Sequence, residues 1–551
     1  MTREALDLKI SGVVQGVGFR PFVYREAKKR DITGWVLNDV EGVKVHAEGE
    51  TLPLDRFVLA LSEEEPAAAQ VSEIEIAEVP VQGFDTFEIR FSDAAEQDET
   101  TLVSPDLATC DACVKELFDP NNRRYHYPFI NCTNCGPRFT IMRKLPYDRP
   151  ETSMAQFAMC PACQEEYSDP ADRRFHAQPD ACFECGPEIG WIESGSAAGL
   201  SLEGISWAKN VEESDGIFHR AAKLIAEGGI VAVKGLGGYH LVCDAANEAA
   251  LAALRQRKHR PGKAFAVMVA SVEEARALCE VNDAEARQLT SPARPIVLLR
   301  KRSDAAFAKG LADNLPELGV MLPTTPVQHL LLHECGGMLV MTSGNIHDEP
   351  IVIDEEAAFS QLAGVADAFL VNNREIVGRY DDSVIRILDG GAAGDIVQFI
   401  RRARGYAPLP VSAPCPEGTS EELLAVGPEQ KSTLTYARAG KAFVSQHVGD
   451  LESAAVLDAW NETRRRYASL LHFELKRIVC DYHPEYLSTK WAMNQGLPTT
   501  RVQHHHAHIL SVMGENNLEG PVCGFAFDGT GYGLDGAIWG CFRTFRPMSA
   551  L

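Results

Sequence analysis

No stretch of this 551-residue sequence approaches the ~18–20 consecutive apolar residues that span a bilayer, so nothing in it reads as a membrane helix. The opening, Met-Thr-Arg-Glu-Ala-Leu-Asp, has no apolar core of the kind a secretory signal carries, and the cytoplasm is the expected compartment. Positive charge is short as well: 53 Lys and Arg stand against 77 Asp and Glu, a formal net charge of -24. A general nucleic-acid binder needs a basic surface to neutralise phosphates, so that class is set aside. A chain this acidic is suited to small anions held in local basic pockets, or to other proteins. Hydrophobic content of 45% suffices for ordinary globular cores, and the length corresponds to about three to five domains at ~100–200 residues each.

Cysteine is concentrated in one place. Cys-x-x-Cys occurs at Cys110/Cys113, Cys132/Cys135, Cys160/Cys163 and Cys182/Cys185, which takes eight of the fifteen cysteines. The gap between knuckles is eighteen residues in both halves, giving two Cys-x2-Cys-x18-Cys-x2-Cys units. Around them Asp119-Pro120 recurs as Asp169-Pro170, Arg123-Arg124 as Arg173-Arg174, His126 as His176, and Gly136-Pro137 as Gly186-Pro187, all shifted by fifty residues. One folding unit is therefore used twice. Disulfides would need an oxidising compartment, and redox pairs are a third reading. The spacing favours two tetrahedral Zn2+ sites, and units this small and poor in aliphatic residues need a metal to fold. Four sulfur ligands leave no open position, so these ions are scaffolds and the chemistry lies on their flanks.

Residues 1–91 alternate strand and helix signals in the order β-α-β-β-α-β: Leu6–Val14, Pro21–Arg30, Ile32–Leu37, Val43–Glu48, Leu54–Glu64, then strands near Val71–Val79 and Phe84–Phe91. This is a ferredoxin-like pattern. Gln15-Gly16-Val17-Gly18-Phe19-Arg20 lies between the first strand and the first helix, where free backbone N–H groups and the helix dipole favour an anion; the bland reading is a tight turn. With Gly34-Trp35-Val36-Leu37-Asn38 following, the segment resembles acylphosphatases. That resemblance implies that Arg20 binds the phosphate of an acyl phosphate and that Asn38 positions the hydrolytic water. A polar linker, Ser92–Thr101, leads into the cysteine repeat, and a Gly-, Ser- and Ala-rich one, from about Glu193 to Gly199, leads out.

From about Phe218 a helix (Ala221–Ala226), a buried strand (Ile230–Lys234), the glycine loop Gly235–His240 and a helix near Glu248–Leu254 are expected. The run Arg255–Lys263 then packs six cationic groups into nine residues. A solvated charged face is the plain reading; a clamp for polyphosphate at the entrance to a strand over Ala264–Val269 is the functional one. Leu322-Pro323-Thr324-Thr325-Pro326, Val340-Met341-Thr342-Ser343-Gly344-Asn345, Asp348-Glu349-Pro350, Asp381-Asp382-Ser383-Val384 and Ile400–Pro408 complete the block. Together these resemble the YrdC/Sua5-type domain, a twisted α/β fold that binds ATP and forms a carbamoyl-adenylate-type anhydride. By that resemblance Lys234, Arg257, Lys258, Arg260 and Lys263 line the triphosphate and acyl region, Ser343 and Asn345 contact the nucleotide, and Arg402 closes over it.

From about Leu423 the chain reads strand, glycine turn, then Gln446-His447-Val448-Gly449-Asp450 and Gln503-His504-His505-His506-Ala507-His508. His504 and His508 are spaced i, i+4, so on a helix both imidazoles face one way and can share a metal; an incidental surface tract is the alternative. Asp481-Tyr482-His483-Pro484 lies upstream, and Phe527-Asp528-Gly529-Thr530-Gly531-Tyr532-Gly533 downstream is a glycine loop suited to a nucleotide phosphate, with Asp528 and Gly529 as its contacts. This block resembles the Kae1-like, actin/Hsp70-type fold, and by that resemblance His504 and His508 are metal ligands.

The expected architecture is thus α/β and α+β multidomain: an acylphosphatase-like domain (1–92), a tandem four-cysteine zinc module (105–190), a YrdC-like domain (200–410) and a partial Kae1-like domain (420–551). Only about 130 residues follow Leu423, room for one actin-like lobe, and the sequence stops resembling the family just after Asp535-Gly536-Ala537-Ile538-Trp539; a truncated or frame-shifted chain is the expectation, and the third metal ligand, a carboxylate expected from the missing lobe, is left unassigned. This order of modules resembles the HypF family of hydrogenase maturation carbamoyltransferases. The resemblance implies hydrolysis of carbamoyl phosphate, formation of carbamoyl-adenylate with Mg2+-ATP, and transfer of the carbamoyl group to the C-terminal cysteine of the partner HypE, with a divalent metal at the last site. A threonylcarbamoyl-adenylate synthase of tRNA modification and a non-catalytic zinc adaptor are the rival readings.

Overall fold

In the first strand, Arg3–Val13, Leu8 and Ile10 point inward while Asp7, just ahead of them, is exposed. The helix Phe19–Lys29 buries Phe19, Phe22, Val23, Glu26 and Ala27, an i, i+3, i+4, i+7, i+8 stripe, against that sheet. Its start is fixed by Gly18, which sits at φ 76 in the left-handed region that glycine occupies without strain. The five strands lie in the order Gln70–Val79, Arg3–Val13, Gly42–Glu50, Thr33–Asp39, Phe87–Ile89. All neighbours are antiparallel except the last pair, so the ferredoxin-like pattern carries an extra short edge strand.

This is a computed structural model. It describes residues 3–14, 16–39, 42–66, 69–90, 102–145, 147–195, 200–346, 349–391, 394–413, 421–518, 520–540 and 542–546. Gln15, the whole Ser92–Thr101 linker, the end of the Glu193–Gly199 linker and Asp348 lie outside the described residues. The chain divides into two compact units, the first formed by 1–347 with 351–406 and the second by 348–350 with 407–551.

Within the first unit the cysteine repeat is also a repeat of conformation. Cys110 and Cys160 each cap a short helix, Asp111–Leu117 and Pro161–Ser168, and His126 and His176 share the same left-handed φ of 54. The segment leaving the repeat enters a sheet before the Gly-, Ser- and Ala-rich stretch begins. Its strand Ile189–Glu193 pairs antiparallel with Ala368–Asn372 and with Ser206–Ala208, and so forms one margin of a twelve-stranded mixed sheet. Tyr239–Asp244 and Leu339–Ser343 run side by side near the middle of that sheet, with His240 opposite Ser343. Helices over Val211–Ala226, Glu248–Arg257 and Pro326–Cys335 cover it, each capped by a side chain of the residue before it: Asn210, Asn247 and Thr325.

The second unit holds a six-stranded sheet in the order Val411–Ser412, Lys441–Val444, Thr435–Arg438, Leu423–Ala425, Arg477–Asp481, Thr499–Val502. Helices Ala454–Leu470, Leu487–Met493 and His504–Glu515 accompany it, and two short hairpin-like pairs follow.

Candidate functional site

Four groups of side chains carry chemistry. At the first, Gly18 ends the loop and opens the helix Phe19–Lys29, whose first N–H groups have no side-chain cap at Gly18. Arg20, on the first turn, is largely withdrawn from solvent. Burial lowers its pKa, while Asp148 and Tyr167 of the zinc repeat partly offset this, and its charge in turn helps burial to hold the His176 imidazole below the usual range. Arg138, also from the repeat, donates to the Gly16 carbonyl at 3.2 Å. Asn38 has a buried Oδ1 with no hydrogen-bond partner within the protein, the kind of atom that holds an ordered water. The glycine loop and Arg20 were visible in the sequence; the cover supplied by Arg138, Asp148 and Tyr167 was not, because no local pattern connects the two modules.

At the cysteines, Sγ–Sγ separations are 3.7 Å for Cys110–Cys132, 3.8 Å for Cys132–Cys135 and 3.5 Å for Cys113–Cys135. In the second unit of the repeat they are 3.8 Å for Cys160–Cys182, 3.9 Å for Cys182–Cys185 and 3.6 Å for Cys163–Cys185. Four sulfurs around zinc at ~2.3 Å stand about 3.8 Å apart, so both clusters fit a tetrahedral ion. These are structural zinc sites.

The third group gathers beside the strand Leu339–Ser343. Lys258, at the end of the helix Glu248–Arg257, donates from Nζ to the carbonyls of Ser343 (2.6 Å) and Asn345 (2.5 Å) and to Asn345 Oδ1 (2.5 Å), which also accepts from Ser343 Oγ at 2.8 Å. Burial first, then the neighbouring charges of Arg260 and Lys263, lower the Lys258 pKa to about 7, with Asp381 opposing. Arg260 approaches Thr342 Oγ1 at 3.4 Å and lies over the Phe265 ring. Lys263 is exposed, and Arg402 donates to the Tyr406 carbonyl. Two further expected triphosphate ligands have protein partners of their own. Lys234 is buried with its ammonium on Glu355 (2.5 Å) and the Asn372 carbonyl, and Arg257 turns to Asp367 (2.8 Å) and the Val365 carbonyl. Both cations are neutralised by partners more than a hundred residues away, which no count of local charge reveals. Beside the group, His240 Nε2 meets Asp382 at 2.9 Å, and Arg404 holds the other Asp382 oxygen at 2.7 Å.

The fourth group lies in the second unit, on the helix His504–Glu515. His504 and His508 lie one turn apart with their rings edge to face and their Nε2 atoms 3.3 Å from each other. The Asp528 carboxylate lies 2.7 Å from His504 Nε2 and 3.4 Å from His508 Nε2. Two imidazoles and a carboxylate converging on one point fit a divalent cation with open positions, because His508 and Asp528 face solvent in part. Asp528, expected from sequence beside a nucleotide phosphate, thus also stands where it could complete a metal site with the histidines; Gly529 beside it borders open space. Asp481 accepts from His504 Nδ1 at 2.7 Å, orienting the ring, and that hydrogen bond is the main cause of a raised His504 pKa. His505 is fully buried and contacts the Asp528 carbonyl, which ties the loop down.

Family models match along the chain: acylphosphatase over residues 6–89, the HypF finger over 109–142 and 159–192, the Sua5/YciO/YrdC model described as telomere recombination over 223–403, and the HypF Kae1-like domain over 418–515. The chain is 45% identical over 539 residues to carbamoyltransferase HypF of Synechocystis sp., covering 98% of this chain and 67% of the relative. It is 47% identical over 559 residues to carbamoyltransferase HypF2 of Cupriavidus necator, with 97% and 66% covered. A solved structure of full-length HypF in the phosphate- and nucleotide-bound form superposes with a TM-score of 0.88 at 44% identity, covering 99% of this chain and 69% of that one. The chain thus spans about two thirds of the length of these relatives.

Proposed function

The chain belongs to the HypF carbamoyltransferase family, and from that premise we propose that it carries the carbamoyl-activating steps of [NiFe]-hydrogenase maturation. At the first site the helix N-terminus and Arg20 hold the phosphate of carbamoyl phosphate, and Asn38 Oδ1 accepts a hydrogen bond from the water that hydrolyses it to carbamate and inorganic phosphate. At the Lys258, Ser343 and Asn345 site, a carbamate oxygen attacks the α-phosphorus of Mg2+-bound ATP and pyrophosphate leaves, giving carbamoyl-adenylate. At the last site the C-terminal cysteine thiolate of HypE attacks the carbamoyl carbon and AMP departs; the product serves cyanide ligand synthesis. A divalent cation held by His504, His508 and Asp528 would supply Lewis-acid polarisation there. The cytoplasm is the compartment this reading needs.

The observation that carries the proposal is the position of Arg20. Burial withdraws it from much of the solvent, and Asp148 and Tyr167 of the zinc repeat act on its charge as it acts on His176, which supports release of carbamate within the first unit. A cavity between the repeat and the large sheet, lined among others by Thr109, Phe129, Gly136, Lys234 and Arg374, lies within the same unit. Carbamate decomposes in water and mixed anhydrides hydrolyse, so enclosure protects both.

The test is carbamoyl-phosphate-dependent ATP–pyrophosphate exchange by the purified chain. Exchange that requires carbamoyl phosphate, and falls at least ~100-fold in Arg20→Ala and in Lys258→Ala, is the expected result. Exchange driven by threonine and bicarbonate instead would assign the chain to the tRNA-modification chemistry, and no exchange at all would leave the adaptor.

A further inference from the structure

The fifty-residue repeat places Arg123 and Arg173, Arg124 and Arg174, Glu116 and Glu166, and Cys113 and Cys163 at equivalent positions. Their contacts are exchanged between the units. Arg123 of the first unit donates to Cys163 Sγ of the second at 3.3 and 3.4 Å and to Glu166 at 2.6 and 3.2 Å. Arg173 of the second donates to Cys113 Sγ of the first at 3.1 Å and to Glu116 at 3.0 Å. Arg124 reaches across to Glu166 at 2.5 Å, and Arg174 reaches across to Glu116. Arg124 and Arg174 also converge on Asp180, 2.9 and 3.5 Å away, a fully buried carboxylate where the first unit has Ile130.

A zinc ion with four thiolates carries a net charge of -2, and a buried centre of that charge is stabilised by the cation beside its sulfurs. Here the arginines that donate to each centre's sulfur come from the other unit. Arg123 and Arg124 lie in the eighteen-residue connection between Cys113 and Cys132, so their place is fixed when those two knuckles are clamped on one ion. Arg173 and Arg174 stand in the same relation to Cys163 and Cys182. We propose that the two zinc sites are coupled through the exchanged arginines, so that the ions load and leave as a pair and neither unit holds its metal at full strength alone. The coupling is reciprocal: whatever one ion contributes to the other's affinity, it receives in return.

The experiment is native mass spectrometry of the full chain during stepwise zinc chelation, in a His504→Ala/His508→Ala background that removes the histidine site from the count. The zero- and two-zinc forms should dominate, with the one-zinc form below the share expected for independent sites. In the added double variant Arg123→Gln/Arg173→Gln the one-zinc form should rise to that share, and zinc affinity should fall about 10–100-fold. As a second arm, Cys110→Ser/Cys113→Ser empties one site, and zinc release from the other should accelerate at least ~10-fold. A one-zinc form at or above the independent share without the arginine changes would overturn the proposal. So would an unchanged release rate in the second arm. If the cysteine variant does not fold, the chelation series decides alone.

Discussion

A lysine held near neutrality by its surroundings is a proton acceptor waiting for an anion. Lys258 donates its hydrogen bonds to neutral acceptors, and burial beside Arg260 and Lys263 brings its pKa to about 7. Between about pH 7 and the usual lysine range the native state therefore binds fewer protons than the unfolded chain, and stability rises with pH across that window. Below pH 7 the charged lysine is buried at its full cost. A triphosphate reverses the balance by favouring the ammonium, so ATP should bind with uptake of close to one proton at pH 8, read as a dependence of calorimetric binding enthalpy on buffer ionisation enthalpy. Lys258→Met should abolish that uptake and flatten the pH dependence of stability above neutrality. An uptake unchanged in Lys258→Met would place the titrating group elsewhere. Lys234 provides the contrast, since its ammonium already has Glu355 as a counter-ion and has no need of a ligand.

Single elements divide sharply by how much of their role could be read from the sequence. The helix His504–Glu515 declared itself through the i, i+4 spacing of His504 and His508, because a helix turns every 3.6 residues whatever surrounds it. The cysteine knuckles did the same, since a tetrahedron of sulfurs demands short local spacing. Asp528 did not, because its loop joins the histidines through tertiary packing such as that of His505 against Gly531, and a Gly-rich Asp loop reads equally well as a phosphate cradle. The partner of Arg257 was hidden for a related reason: its position within a basic run says nothing of Asp367, which pairs with it from another strand end. Within the histidine helix, Asp481 acts on the ring of His504 and lies on a neighbouring strand. Asp481→Asn should weaken binding of a divalent cation at His504, His508 and Asp528 about 10–100-fold in equilibrium dialysis, leaving the cysteine-bound zinc in place. Equal loss of zinc from the cysteines would mean that the change had unfolded the chain instead.

Across the molecule, the acylphosphatase-like module, the zinc repeat and the large sheet belong to one compact unit, while the histidine site belongs to the other. Chelation of the cysteine-bound zinc should therefore lower one calorimetric transition by more than ~5 °C and leave a second nearly unmoved. One transition shifting as a whole would show that the two units unfold together. The second unit also exposes Phe525, Phe527, Leu534 and Ile538, an apolar content that favours association at high concentration. The margin of the twelve-stranded sheet has a further consequence, for synthesis. Ile189–Glu193 finds Ser206–Ala208 almost at once, but its other neighbour, Ala368–Asn372, is about 175 residues further along the message. At ~5–20 residues per second the ribosome needs on the order of 10–35 s to deliver it. For that interval the nascent chain carries a finished zinc repeat joined to a strand with one unpaired edge, and pauses in translation there would lengthen the time in which that edge can be captured by the wrong partner.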